Sequence, residues 1–189
     1  EEDFEPIWGS EGTISKAVPW MNAVREVLGE ECCPSFCGIV FSRPGAPAQQ
    51  WHIDSPHEST AFSPPHALNV FVALEDISEN AGPPEVAAGS HVITNHLNDT
   101  RLNSRHLLYQ TSLEISPSYL ADMGEICETR KSSMDAGDCL IFDDRILHRG
   151  LANQSRLERW MAYFSYMRPR PNLCRVSDTH FESNISVFD

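Results

Sequence analysis

Apolar residues in this chain alternate over short spans far more often than they recur at helical spacing, and such spans mark half-buried strands. The clearest is Ala67 to Leu74, with Leu68, Val70, Val72 and Leu74 on one face and Asn69 and Phe71 on the other. Residues Arg159 to Met167 repeat the pattern, placing Arg159, Met161, Tyr163 and Ser165 together. Shorter extended runs fall at 36–41, 49–54, 85–90, 132–134, 139–142 and 146–149. Turn-rich links such as Arg43-Pro44-Gly45-Ala46-Pro47 and Asp135-Ala136-Gly137-Asp138 separate them. One helical repeat opens the ordered part: Val18, Met21, Val24, Val27 and Leu28, within a helix predicted from Ser15 to Leu28. Pro19 lies near its first turn and Gly29 just past its end. Seven or eight short strands with few helices predict an all-β core, a barrel or sandwich with flanking helices.

Two stretches fall outside this pattern. Residues 92–130 are long, polar and mixed, with a helix predicted around Ser116 to Met123, and an excursion of that length suggests a lid or pocket wall. After Pro169 and Pro171 the chain reads as a tail. No repeat, low-complexity tract or second core divides the 189 residues, so 1–189 is expected to be one domain.

Composition changes this picture little. At 41% hydrophobic and 22% charged residues the chain is an ordinary globular one. Its 14 Lys plus Arg against 27 Asp plus Glu give a net charge of −13, which argues against nucleic-acid binding. No apolar run reaches membrane-spanning length. Cys32, Cys33, Cys37, Cys127, Cys139 and Cys174 have neither zinc nor CxxC spacing, so free thiols in an intracellular, reducing compartment are expected. The chain opens on Glu1-Glu2-Asp3 rather than Met, as a trimmed piece would.

The chemistry lies in Gln49-Gln50-Trp51-His52-Ile53-Asp54. Two residues apart on a strand, His52 and Asp54 share a face, so an imidazole and a carboxylate can take adjacent positions on a metal. His148 follows Asp54 by 94 residues, in Asp143-Asp144-Arg145-Ile146-Leu147-His148-Arg149-Gly150. Two histidines and a carboxylate form the ligand set of non-haem Fe(II) oxygenases, with positions left open for cosubstrate and oxygen. Arg159, eleven residues past His148, puts a guanidinium on an inward face. Such a group needs an anion, and a dicarboxylic cosubstrate offers one. The alternative for Arg159 is a surface ion pair with Glu158 or Asp189, with Arg156 as a rival for the role. His57, His66, His91, His96 and His106 read as loop histidines.

These stretches, with Ala67–Asp76 (ALNVFVALED), Ala81–His91 (AGPPEVAAGSH), Gly137–Gly150 (GDCLIFDDRILHRG) and Asn153 through Arg159, resemble the phytanoyl-CoA dioxygenase family of Fe(II)/2-oxoglutarate oxygenases over roughly residues 36–168. The resemblance implies a double-stranded β-helix, a cupin-like jelly roll. It implies His52, Asp54 and His148 as iron ligands and Arg159 as the anchor of the 2-oxoglutarate carboxylate. Gln49 and Asn69 stand where relatives often approach the cosubstrate. The implied cofactors are Fe(II), 2-oxoglutarate and O2, and the implied partner is a small-molecule substrate. An intact Asp54 favours hydroxylation, since related halogenases carry a small residue there. The chain departs from the family in Gly82-Pro83-Pro84-Glu85, where relatives commonly have Gly-Pro-Thr-Glu, and in being short. A CoA thioester would need a basic patch, for which Arg101, Arg105, Arg130 and Lys131 are the candidates. The competing readings are a non-catalytic jelly-roll binding module, a cupin-like metalloenzyme that does not use 2-oxoglutarate, and a zinc hydrolase on the same three ligands.

Overall fold

The alternation in Ala67–Ala73 decides which way the main sheet faces. In the computed structural model, which describes residues 18–99, 101–102, 117–169 and 183–188, that segment is the strand β2. Its Leu68 and Val70 are buried against the helix α1 (Met21–Leu28), while Asn69 and Phe71 line a cavity on the other side. Strand β7 (Arg159–Met167) obeys the same rule: Phe164 and Tyr166 pack toward α1, and Arg159, Met161, Tyr163, Ser165 and Met167 face the cavity. Because successive side chains point to opposite faces, one strand both builds the core and furnishes the site.

The main sheet runs β5-β2-β7-β1-β8, with β1 at Cys33–Ser42, β5 at Cys139–Asp143 and β8 at Ser183–Phe188. The smaller sheet is β4-β3-β6, with β3 at Pro84–Ala87, β4 at Thr129–Lys131 and β6 at His148–Gly150. Residues 49–54 extend it, pairing His52 with His148 through two backbone hydrogen bonds of 3.0 and 2.9 Å. Here too the faces divide. His52 and His148 turn into the cavity, and Ile53 and Leu147 turn outward into a cluster with Tyr119 and Met123 of the helix α2 (Pro117–Ile126). The layers are therefore α1, main sheet, cavity, small sheet and α2, the expected jelly roll with flanking helices.

Several expectations change. The first helix begins at Met21, because Val18–Trp20 form a turn closed by Met21 N–H donating to Val18 O at 3.1 Å. Residues 15–17 lie outside the described ones, and Val27 is 40% exposed, off the buried stripe. Of the segment expected as a lid or pocket wall, the described residues Ile93, Leu102, Tyr119, Met123 and Cys127 pack on the outer face of the small sheet. Among the described residues none of 92–130 lines the cavity, and 103–116 lie outside them. The expected tail supplies β8, parallel to β1 from Cys37↔Ser183 to Ser42↔Phe188, at one edge of the sheet; Ser183-Asn184-Ile185-Ser186-Val187-Phe188 lacks the strict alternation that marked the other strands. The cysteines also differ: Cys32, Cys37, Cys127 and Cys139 are free, but Cys33 is disulfide-bonded. Cys174 lies outside the described residues. Spacing alone cannot reveal a disulfide, and the reducing compartment inferred from free thiols loses that support. Among the described residues no helix is long and apolar enough to cross a membrane.

Candidate metal centre

His52, Asp54 and His148 meet at the cavity, with one ligand atom of each lying within 4.8 Å of the others. The Nε2 atoms of His52 and His148 stand 3.8 and 3.4 Å from the two Asp54 oxygens. Both imidazoles are fixed from behind. Nδ1 of His52 is 2.9 Å from Gln50 O, and Nδ1 of His148 is 2.9 Å from Ile146 O. A backbone carbonyl can only accept, so each Nδ1 carries the hydrogen and each Nε2 offers its lone pair to the centre. Burial, followed by the neighbouring His148, pushes His52 down to about 4, so it is neutral as a ligand must be. The two rings are buried, whereas the Asp54 side chain is 38% exposed, so the site opens into the cavity past its carboxylate.

That carboxylate is held in turn. Asn69 Nδ2 donates to Asp54 Oδ2, and Ser165 Oγ donates to Asn69 Oδ1. β2 and β7 pair Asn69 with Ser165 directly, so the ladder register delivers both side chains to one place. Asn69 lines the cavity, but its amide is committed to the acid. Gln49 Oε1 accepts from Gly150 N–H at 2.6 Å, leaving its amide nitrogen as a donor for whatever the cavity holds.

Arg159 is 3% exposed, far from the surface ion pair that was the alternative; Arg156 is exposed. The Nη1 of Arg159 donates to Gly82 O at 3.0 Å and lies 3.9 Å from Met161 Sδ, while its buried Nε has no partner among the described residues. Burial lowers its pKa to about 10 and the Glu75 charge opposes the shift, so it remains a cation at neutral pH. Gly82 has φ +75°, and a Cβ there would stand 2.5 Å from Leu151 O, so only glycine brings this carbonyl to the guanidinium. A buried guanidinium with an unpartnered N–H fits a carboxylate, and the tautomer-fixed histidines fit a divalent metal. The residues present suit both groups.

The cavity encloses about 370 Å³. A profile for phytanoyl-CoA dioxygenase (PhyH) matches residues 10–161. The chain belongs to the phytanoyl-CoA dioxygenase family. Iron and 2-oxoglutarate are that family's cofactor and cosubstrate, with dioxygen as oxidant, and its members are oxygenases. Solved structures carry the same fold. EctD from S. alaskensis, crystallised with 2-oxoglutarate and 5-hydroxyectoine, is 19% identical with a TM-score of 0.58, over 86% of this chain and 59% of that one. SnoN, a non-heme alpha-ketoglutarate-dependent epimerase from nogalamycin biosynthesis, is 20% identical with a TM-score of 0.57, over 88% and 62%. EvdMO1 is 17% identical with a TM-score of 0.58, over 82% and 32%. This chain therefore spans about a third to three fifths of the length of these structures.

Three features escaped the sequence reading. Asp143 and Arg145 form a buried pair, with Nε–Oδ1 at 2.9 Å and Nη2–Oδ2 at 2.6 Å. Asn153 is fully buried and donates to Ser42 O and Leu157 O, tying down the connection that leads into Arg159. Asp144, also buried, lines the cavity; burial first, with the Asp143 and Asp54 charges adding to it, raises its pKa to about 7 despite a Ser55 hydrogen bond. The only signal for these in the sequence was polarity next to the metal histidine. Among the expected loop histidines, His57 is buried with Nε2 2.9 Å from Thr94 Oγ1, and His66 Nε2 lies 3.5 Å from Asp144 Oδ2. Arg101 is paired with Asp99 and Asp122, and Arg130 with Glu128, which leaves these two candidates for a CoA phosphate patch already engaged. Arg105 lies outside the described residues.

Proposed function

We propose that this chain is the catalytic domain of an Fe(II)- and 2-oxoglutarate-dependent oxygenase that hydroxylates a small organic substrate, releasing succinate and CO2. One observation carries the reading: a tautomer-fixed His52–Asp54–His148 set and a buried, incompletely partnered Arg159 open into the same cavity.

When bound, iron couples the oxidative decarboxylation of 2-oxoglutarate by dioxygen to oxidation of a substrate C–H bond. The chain's own residues supply orientation, charge and dryness. His52 and His148 would hold the metal through their Nε2 atoms, and Asp54 through a carboxylate oxygen. The Ser165–Asn69 relay fixes the rotation of that carboxylate, so its metal-facing oxygen does not wander. Arg159 receives the far carboxylate of 2-oxoglutarate through a charge-assisted pair, satisfying the Nε that otherwise stays unpartnered. The Gln49 amide approaches the same cosubstrate from the opposite sheet. Val40, Phe71 and Met161 form the apolar wall between, excluding water from the reacting groups. The intact Asp54 supports hydroxylation over halogenation.

The test is anaerobic addition of Fe(II) and 2-oxoglutarate while watching for the weak visible metal-to-ligand charge-transfer band. The expected result is a band in wild type that is lost in His52→Ala and His148→Ala. Iron binding without a band would favour a cupin-like metalloenzyme that does not use 2-oxoglutarate. No metal binding would favour a non-catalytic jelly roll.

A further inference from the structure

The cavity has two chemically different ends, and β7 measures the distance between them. Arg159 stands at its first residue and Met167 at its ninth, a separation of roughly 26 Å along an extended strand. The metal set and the Asn69–Ser165 pair lie between. Around Arg159 are Val40, Met161 and Gln49, the end assigned above to the cosubstrate. At the other end β2 opens with Ala67, opposite Met167, and Asp144 N–H donates to Ala67 O at 3.4 Å, bringing Asp144 to the cavity wall beside Ser55.

We propose that Asp144 is a substrate-binding residue and that the substrate carries a cationic amine, received by Asp144, on a chiefly apolar body lying against Phe36 and Met167. This rests on the oxygenase reading of the same cavity. Asp144 is 2% exposed, and its Oδ1 has no hydrogen-bond partner among the described residues. A buried carboxylate oxygen left unmatched is costly unless something supplies a donor. The nearby cation does not: Arg145 spends its guanidinium on Asp143 and on the Ser63 hydroxyl and carbonyl. His66 stands at Oδ2, 3.5 Å away, so Oδ1 is the atom that wants a partner. Outside the metal set, the ionisable group lining this end is Asp144, with the cavity's cation, Arg159, at the far end. A substrate carboxylate would meet another carboxyl group there. A neutral donor would satisfy one bond, and an ammonium satisfies the bond and the charge together.

The probe is a set of molecules of equal length that differ only in the head group: hexylammonium, hexanol and hexanoate. Each is titrated calorimetrically into Ni(II)-loaded protein holding 2-oxoglutarate. Hexylammonium is expected to bind about ten-fold or more tighter than hexanol, as a hydrogen bond to a charged group implies, and hexanoate not measurably. In Asp144→Asn and Asp144→Ser the ammonium preference should collapse to within about two-fold, on the same scale, with nickel and 2-oxoglutarate binding retained. Equal binding of the ammonium and the alcohol by wild type, or a preference that survives both substitutions, overturns the proposal. The iron charge-transfer band needs no amine, so its loss in wild type would sink the oxygenase reading, while an intact band without ammonium preference would sink this inference alone.

Discussion

Arg145, in the turn between β5 and β6, and Arg159, at the start of β7, are both buried arginines, and they are buried in opposite senses. Arg145, 1% exposed, makes a two-pronged pair with Asp143 and two further bonds to Ser63. Arg159, 3% exposed, has one backbone carbonyl, a sulfur contact and an Nε with no partner among the described residues. The adjacent acids repeat the contrast: Asp143 is saturated, while Asp144 keeps an unmatched oxygen. A balanced buried charge holds the fold together. An unbalanced one is tolerated where the rest of the molecule is well packed, and under the proposed function it is where a ligand's charge would sit.

The contrast can be attacked by substitution. Removing a ligand should have the largest effect: Asp54→Ala is expected to reduce substrate-coupled succinate formation to background with the fold intact by circular dichroism. Normal turnover with iron bound would remove Asp54 from the metal. Next come the two arginines. Arg145→Met leaves Asp143 buried without its cation and should cost about 3–5 kcal/mol in chemical denaturation. Arg159→Met strands no acid and should leave stability unchanged or higher. If the costs are reversed, the distinction between saturated and unsaturated charge is wrong.

Asn69→Ala tests the relay at a smaller scale. Releasing the Asp54 carboxylate should weaken metal binding about 10- to 100-fold, read by competition with a chelator, and Ser165→Ala should show a lesser loss in the same direction. Unchanged metal affinity in both would make the relay a packing feature only.

The smallest effect is in acid. Burial first, then the Arg145 charge, pushes His57 down to about 4, below its usual value near 6.5. The unfolded chain then binds the extra proton first, so the neutral histidine's contribution is complete above about pH 6.5 and is lost as pH falls toward about 4. Asp144, raised to about 7, acts with the opposite sign over an overlapping range. The readout is therefore the stability difference between wild type and His57→Asn, which should shrink on acidification through that window. A difference flat with pH would mean His57 titrates as it does in the unfolded chain.

The sequence revealed faces and not partners. Alternation put Asn69, Phe71 and the odd residues of 159–165 on one side and Leu68 and Val70 on the other, and the sheets bear this out. His52, Asp54 and His148 could be brought together because strand period and metal chemistry are both short-range rules. What Asn69 holds was hidden, since that depends on the β2–β7 register across 96 positions of chain. The packing of α2 behind the small sheet was hidden for a related reason: a polar, mixed segment does not announce which face it covers. Asp143 and Arg145 read as ordinary surface polarity, because two residues that neutralise each other look the same in sequence as two that face water.

The most direct test is of Arg159 as the seat of a carboxylate. Ni(II)-loaded wild type and Arg159→Met are titrated calorimetrically with 2-oxoglutarate and with 2-oxopentanoate, which keeps the chelating end and lacks the far carboxylate. Wild type should prefer 2-oxoglutarate by roughly 30-fold, about what a charge-assisted hydrogen-bonded pair supplies, and the variant should bind the two alike. A wild-type protein that does not discriminate, or a variant that still does, would contradict the account.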